Sequence, residues 1–142
     1  MSKIISIFII PFIIFGINSC GEDNTKTNSK GNKDIQEYTT VNKVFVGEFN
    51  QALAEKGKEL FKTKCTACHD YDKRIVGPPL GDIAKRRTPE YIISMITSPD
   101  KMIQNNDTAK ALLQKYLTPM TNQNINIEEA RAIYEHFREI SK

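Results

Sequence analysis

The chain holds three cysteines and two histidines, namely Cys20, Cys65, Cys68, His69 and His136. Three of these five fall in one run, Cys65-Thr66-Ala67-Cys68-His69. That is the C-x-x-C-H spacing of a c-type haem attachment site. Two thiols at this spacing add across the vinyl groups of one haem and become thioethers. The imidazole that follows then lies beneath the iron as its proximal ligand.

Other chemistries suit these residues less well. A tetrahedral zinc would need Cys65, Cys68, His69 and His136. Adjacent cysteine and histidine rarely share one metal, and the spacing matches no common finger. A thioredoxin-like Cys-x-x-Cys requires βαβ surroundings, which the pattern lacks. A nucleophilic cysteine needs a base and an orienting group, with one of the two histidines to supply them.

An iron held by His69 has a second axial position. Beyond the N-terminal segment the chain offers Met95, Met102 and Met120. Met95 lies mid-helix on an apolar face, where methionine fills core space. Met102 follows Pro99 in a short turn and stays open as a ligand. Met120 lies in a polar loop from Leu117 to Asn124, stiffened by Pro119. In that loop Asn122, Gln123 or Asn124 can donate toward the sulfur, or simply be solvated. A His/Met pair favours reduced iron and raises its potential. It also fills both axial sites, which suits a one-electron carrier and not an enzyme. The alternative is a haem enzyme or a gas or redox sensor with an open sixth position.

The elements that must position these residues read as helices. Asn50 can cap a helix through Leu53, Gly57, Leu60 and Phe61 to the haem motif, with apolar residues at helical spacing. Gly57 costs that helix about 1 kcal/mol against Ala, so its presence points to close approach of another backbone. Thr88-Pro89-Glu90 has the form of N-cap, N1 proline and first-turn acid. The helix it opens carries Tyr91, Ile92, Met95 and Ile96 and stops before Ser98-Pro99. Asn106 or Asp107 starts the next, through Ala109, Leu112, Leu113 and Tyr116. Asn126 with Glu129 has the form of a capping box for a last helix bearing Ile133, Tyr134, Phe137 and Ile140. No alternating strand run occurs, so the fold class is all-α. A core of about 90 residues is marginal by surface-to-volume scaling, and a buried haem would enlarge it.

The N-terminal part reads differently. Lys3 precedes an apolar run from Ile4 to Ile17, broken by Pro11 and Gly16. The run is short of the roughly 20 residues a bilayer span needs and fits the h-region of a secretory signal. It ends in Ile17-Asn18-Ser19-Cys20, which resembles the lipobox of bacterial lipoproteins. That resemblance implies a signal peptide at 1–19 and a lipidated Cys20. Acylation disposes of the odd cysteine in an oxidising compartment, and several acyl chains give stable anchoring. Residues 20–49 form a tether, polar as far as Tyr38 apart from Ile35. Random-coil scaling gives it a reach of about 30 Å. Val41 to Phe49 is more apolar and reads either as a docked arm or as a short strand. The remaining 50–142 is one domain. The net charge of +3 over 142 residues is milder than a nucleic-acid binder would carry.

Taken together, Gly57-Lys58-Glu59-Leu60-Phe61, the Cys65–His69 motif, Val76-Gly77-Pro78-Pro79-Leu80 and Thr118-Pro119-Met120 resemble a class I monohaem cytochrome c. The resemblance covers about residues 50–142. It implies that the first and last helices cross near Gly57 over a covalently bound haem. An aromatic residue usually faces that glycine, and Tyr134, His136 or Phe137 would fill the place. His136 is then structural, with a second-ligand or proton-switch role as the sharper reading. The resemblance further implies that the Pro78 carbonyl accepts the Nδ1–H of His69 and aims Nε2 at the iron. Met120 has the family position for the sixth ligand. Many members follow that methionine with proline, whereas here Pro119 precedes it and Thr121 follows. Tyr91 sits where relatives often carry a tryptophan near the propionates. Arg86 and Arg87 offer bidentate geometry to those propionates, or else form a basic helix end. Lys62, Lys64, Lys73 and Arg74 either steer an acidic partner or are solvated surface charges.

These readings combine into a monomeric, lipid-anchored electron carrier facing the periplasm. Its partners would be a respiratory donor and a terminal reductase or oxidase. Pro119 to Arg138 also resembles small cytochromes accompanying anaerobic terminal reductases, including nitrous oxide reductase.

Overall fold

The structure is a computed structural model and describes residues 37–141. The signal segment, Cys20 and the tether before residue 37 lie outside the described residues. Among the described residues six helices follow one another: α1 (Gln51–Lys64), α2 (Ile83–Arg86), α3 (Pro89–Thr97), α4 (Pro99–Asn105), α5 (Asp107–Tyr116) and α6 (Ile127–Ile140). Among the described residues no strand forms, and one isolated antiparallel bridge joins His69 to Arg74.

Local chemistry starts the longer helices. The Asn50 side chain accepts the Leu53 N–H at 2.9 Å, and Thr88 accepts that of Tyr91 at 3.2 Å with Pro89 behind it. Asn106, rather than Asp107, caps α5 by accepting from Ala109 at 2.9 Å. Both halves of the Asn126/Glu129 capping box are present. Each cap satisfies backbone donors that the first turn leaves without partners. The Pro99 turn is a full short helix, α4, and the basic helix end at Arg86 closes the one-turn α2.

α1 packs across α6. A Cβ built on Gly57 would stand 1.9 Å from the Ala132 carbonyl oxygen and 2.9 Å from the Ile133 nitrogen. The two backbones therefore touch, as the glycine implied. The residue facing Gly57 is Ala132, not an aromatic. The aromatics sit one turn further on, where Phe61 meets His136 at 6.1 Å and the edge of Phe137 at 5.6 Å between ring centroids. With Phe61, Tyr91, Ile92, Ile93, Met102, Ile133 and Phe137 these helices close a single core.

Residues 37–49 are a docked arm and not a strand. An extended segment without a strand partner must satisfy its backbone elsewhere, and here side chains of the helices do so. Ser94 Oγ accepts from Thr40 N at 3.0 Å and Val41 N at 3.1 Å. Glu90 accepts from Val44 N at 2.9 Å, and Asn106 Nδ2 donates to the Tyr38 carbonyl at 2.7 Å. Arg131 and Arg138 donate to the Phe45 and Gly47 carbonyls. Glu135, 0% exposed, accepts the Asn50 N–H at 2.7 Å and is paired with Arg138. Val41, Val44 and Val46 pack against the core. The flexible tether expected for 20–49 thus does not extend over this part.

Candidate functional site

One cavity runs between α1, the loop that follows it, α3, α5, α6 and the segment before α6. Its first wall starts where α1 ends. The Cys65 N–H bonds back to Phe61, and the Cys68 and His69 N–H groups bond to the Cys65 carbonyl. This turn carries Cys65, Cys68 and His69 onto the wall. The Cys68 carbonyl accepts from Val76 and Gly77, Asp70 accepts from Leu80, and Tyr71 accepts from Gly81. The loop from 68 to 81 is therefore folded back on itself.

Within that loop His69 Nδ1 lies 2.9 Å from the Pro78 carbonyl oxygen. A carbonyl can only accept, so Nδ1 carries the proton and Nε2 keeps its lone pair. Burial holds the imidazole below its usual range, partly offset by the bond to Pro78. The ring is thus neutral at pH 7, the form that binds metals. Gly77 makes room for it, since an added Cβ would stand 2.3 Å from His69 Cε1. The sequence points to Gly77 only as part of the Val76–Leu80 motif, and its position directly before Pro78 is the available signal. The Cys65 thiol is pushed up to about 11 by burial, against the lowering effect of Lys64.

The other wall is apolar. α3 contributes Ile92, Met95 and Ile96, α5 contributes Leu112, Leu113 and Tyr116, and α6 contributes Ile133 and Phe137. Thr118, Pro119, Met120, Thr121 and Gln123 complete it from the loop between α5 and α6. That loop leaves α5 through Leu117 in the left-handed region, φ 57°, with the side chain 84% exposed. Asn122 accepts from the Asn124 N–H at 2.8 Å, and Asn124 is itself left-handed. These two amides fold the loop, while Gln123 lies on the cavity wall. Met102 is 0% exposed in the core and does not line the cavity. Met120 does, and so does Met95, which had been read as core packing.

Several expected residues lie elsewhere. Arg86 is not on the wall: its Nε is 2.6 Å from Asp82 and its Nη2 donates to the Pro79 carbonyl at 3.0 Å. Arg87 stacks on Tyr91, 5.2 Å from the ring centroid, and also stays off the wall. Tyr91 lines the cavity, and its buried hydroxyl has no hydrogen-bond partner. Burial pushes that hydroxyl up to about 12, so it is a donor at any ordinary pH. His136 is absent from the wall.

The donor set can be tested against a haem. Two thiols, an imidazole with its outer nitrogen tied back, a thioether and one unpartnered buried hydroxyl meet in an apolar space. A large, mostly apolar, planar group with a metal centre and polar substituents fits that combination. Buried polar groups are almost always paired, and the Tyr91 hydroxyl would pair with such a substituent.

Comparison with known proteins points the same way. The cytochrome c family model matches residues 54–141. Cytochrome c-551 of Stutzerimonas stutzeri is 50% identical over 36 residues, which is 25% of this chain and 35% of that protein. Cytochrome c-551 of Pseudomonas denitrificans is 55% identical over 31 residues, 21% of this chain and 38% of that one. These matches thus span little more than a third of the curated relatives. A solved cytochrome c from Rhodothermus marinus superposes with a TM-score of 0.70 at 45% identity, covering 71% of this chain and 88% of its own. An engineered form of that cytochrome, bound to a carbene intermediate, gives 0.66 at 43% identity over 71% and 88%.

Proposed function

The chain belongs to the cytochrome c family, whose members carry covalent haem c and work by haem-based electron transfer, and we propose that it is a one-electron carrier with His69 and Met120 as axial ligands. When bound, the haem supplies a one-electron iron couple. Cys65 and Cys68 tether it. Pro78 fixes the tautomer of His69 and aims Nε2 at the metal, while Gly77 leaves space for the ring. Met120 supplies a soft sulfur that favours the reduced metal. The Tyr91 hydroxyl donates to a propionate, with Arg87 above its ring. The apolar walls from α3, α5 and α6 exclude water and so limit reorganisation.

The observation that carries this reading is that one cavity is lined by Cys65, Cys68, a tautomer-fixed His69 and Met120. A ferric near-infrared sulfur-to-iron charge-transfer band is expected in the native protein and absent in Met120→Ala. A native protein without the band, or a variant that keeps it, overturns the Met120 assignment and points to an open sixth position.

Members of the family are typically exported to the periplasm. On the Ile17-Asn18-Ser19-Cys20 motif we place this chain there as a monomer held by lipid on Cys20. It would pass electrons from a respiratory donor to a terminal reductase or oxidase. Mass spectrometry of the mature protein tests lipid and haem together.

A further inference from the structure

The part of α6 beyond the Gly57 crossing makes two side-chain bonds to the loop that bears His69. His136 is 2% exposed, and its Nε2 lies 2.8 Å from the Tyr71 hydroxyl. Its other nitrogen, Nδ1, makes no hydrogen bond but faces the Glu139 carboxylate, with Oε2 at 3.4 Å. The negative charge there favours the proton on Nδ1, which leaves Nε2 to accept from the Tyr71 hydroxyl. One turn on, Ser141 Oγ donates to the Gly81 carbonyl at 3.0 Å. Tyr71 and Gly81 are themselves paired, Gly81 N donating to the Tyr71 carbonyl at 2.9 Å. Both members of one rung are therefore bolted to one helix. The neighbouring rung pairs Leu80 with Asp70, and beyond it stands the His69–Pro78 bond. The Tyr71 ring also lies flat on Phe61, at 4.9 Å and 19° between planes.

We propose that His136 is a positioning residue for the proximal ligand, acting through Tyr71 to hold the 69–81 loop against α6 and so to fix the orientation of the His69 imidazole. This rests on the reading of His69 as an axial ligand. A purely space-filling aromatic would serve the crossing equally well. It would leave a phenolic hydroxyl without its protein acceptor at a partly buried site, which is unfavourable. The loop would relieve that by turning Tyr71 outward, and the rungs carry the movement to Pro78 and His69.

The test uses the purified holoprotein and three variants: His136→Phe, Tyr71→Phe and the double variant. His136→Phe keeps an aromatic ring on Phe61 and removes the acceptor. Tyr71→Phe keeps the stack and removes the donor. The readouts are the haem-methyl resonances of the ferric protein, whose spread reports the imidazole plane, and the midpoint potential. Each single variant is expected to move the resonances and the potential in the same direction. The double variant should move them no further than the larger single change. Native resonances and potential in either single variant overturn the proposal, as do independent, additive effects in the double variant. If His136→Phe does not fold, Tyr71→Phe carries the test alone. His69→Ala separates the two readings. Survival of a low-spin spectrum there refutes ligation by His69, whereas its loss upholds that ligation and the His136–Tyr71 link is decided by the resonances.

Discussion

Gly57→Ala sets two physical effects against each other. Helix propensity favours the variant, because alanine in a helix interior is better than glycine by about 1 kcal/mol. The crossing opposes it. The added Cβ would lie 1.9 Å from the Ala132 carbonyl oxygen and 2.4 Å from its carbon. Both are backbone atoms of a helix, so neither yields by a rotamer change. To reach ordinary contact at 3.4 Å the helices must part by about 1.5 Å. The contacts that loosen include Phe61 against His136 and Phe137. Overpacking a tight interior costs about 1–3 kcal/mol, and this contact is at the severe end. Net destabilisation of about 2 kcal/mol is expected after the propensity gain. The measurement is denaturant unfolding of the holoprotein followed by far-ultraviolet circular dichroism, with the exposed Glu59→Ala as a near-neutral control in the same helix. Since a carbonyl does the blocking, Ala132→Gly should not rescue Gly57→Ala. A stabilised Gly57→Ala refutes the backbone-contact reasoning, and rescue by Ala132→Gly shows that a side chain, not the backbone, is the obstacle.

Gly77→Ala should displace His69 from the Pro78 carbonyl, lowering stability by about 1–3 kcal/mol and altering the ferric low-spin spectrum. Glu135→Ala leaves Arg138 and the Asn50 N–H without their buried partner, and a loss of about 3 kcal/mol in unfolding free energy is expected. Ser94→Ala removes the acceptor for two arm N–H groups, so hydrogen exchange at Thr40 and Val41 should speed up before global unfolding does. His136 is held below its ordinary value of 6.5 by burial, with Glu139 acting in the opposite sense. Its neutral form is the one folding favours, so this stabilisation is complete above pH 6.5 and is lost as pH falls through the lower folded-state value. Urea midpoints taken between neutral and mildly acid pH should show that decline, and His136→Phe should flatten it.

The parts of the molecule legible in the sequence are those whose cause is local. Asn50, Thr88 and Asn126 announce helix starts because a cap acts on an N–H only two or three residues away. The Cys65–His69 motif is legible for the same reason. Gly57 announced a close approach but not its partner: helical periodicity gives spacing and not phase, so Ala132 stood where an aromatic was expected. Arg86 reads either as a propionate contact or as a basic helix end, and it pairs with Asp82 one turn back, a partner as ordinary in a sequence as a ligand contact. The arm was half legible. Its valines showed an apolar face, but the groups that hold its backbone, Ser94, Asn106 and Glu135, come from three helices later in the chain. Met120 is preferred to Met102 on its loop and its family position, and the fold adds that Met120 lines the cavity while Met102 is buried in the core.

The arm also has a mechanical consequence. Its attachments follow one another along the chain: Tyr38 on Asn106, Thr40 and Val41 on Ser94, Val44 on Glu90, Phe45 on Arg131, Gly47 on Arg138 and Asn50 on Glu135. A pull applied at residue 37 loads them in series, one after another, and each yields without straining the next. The last to feel tension is Asn50, the residue that starts α1 and, through it, the segment leading to Cys65. The arm therefore yields ahead of α1, and a pull on its N-terminal end would peel the arm before it reached the segment that carries Cys65.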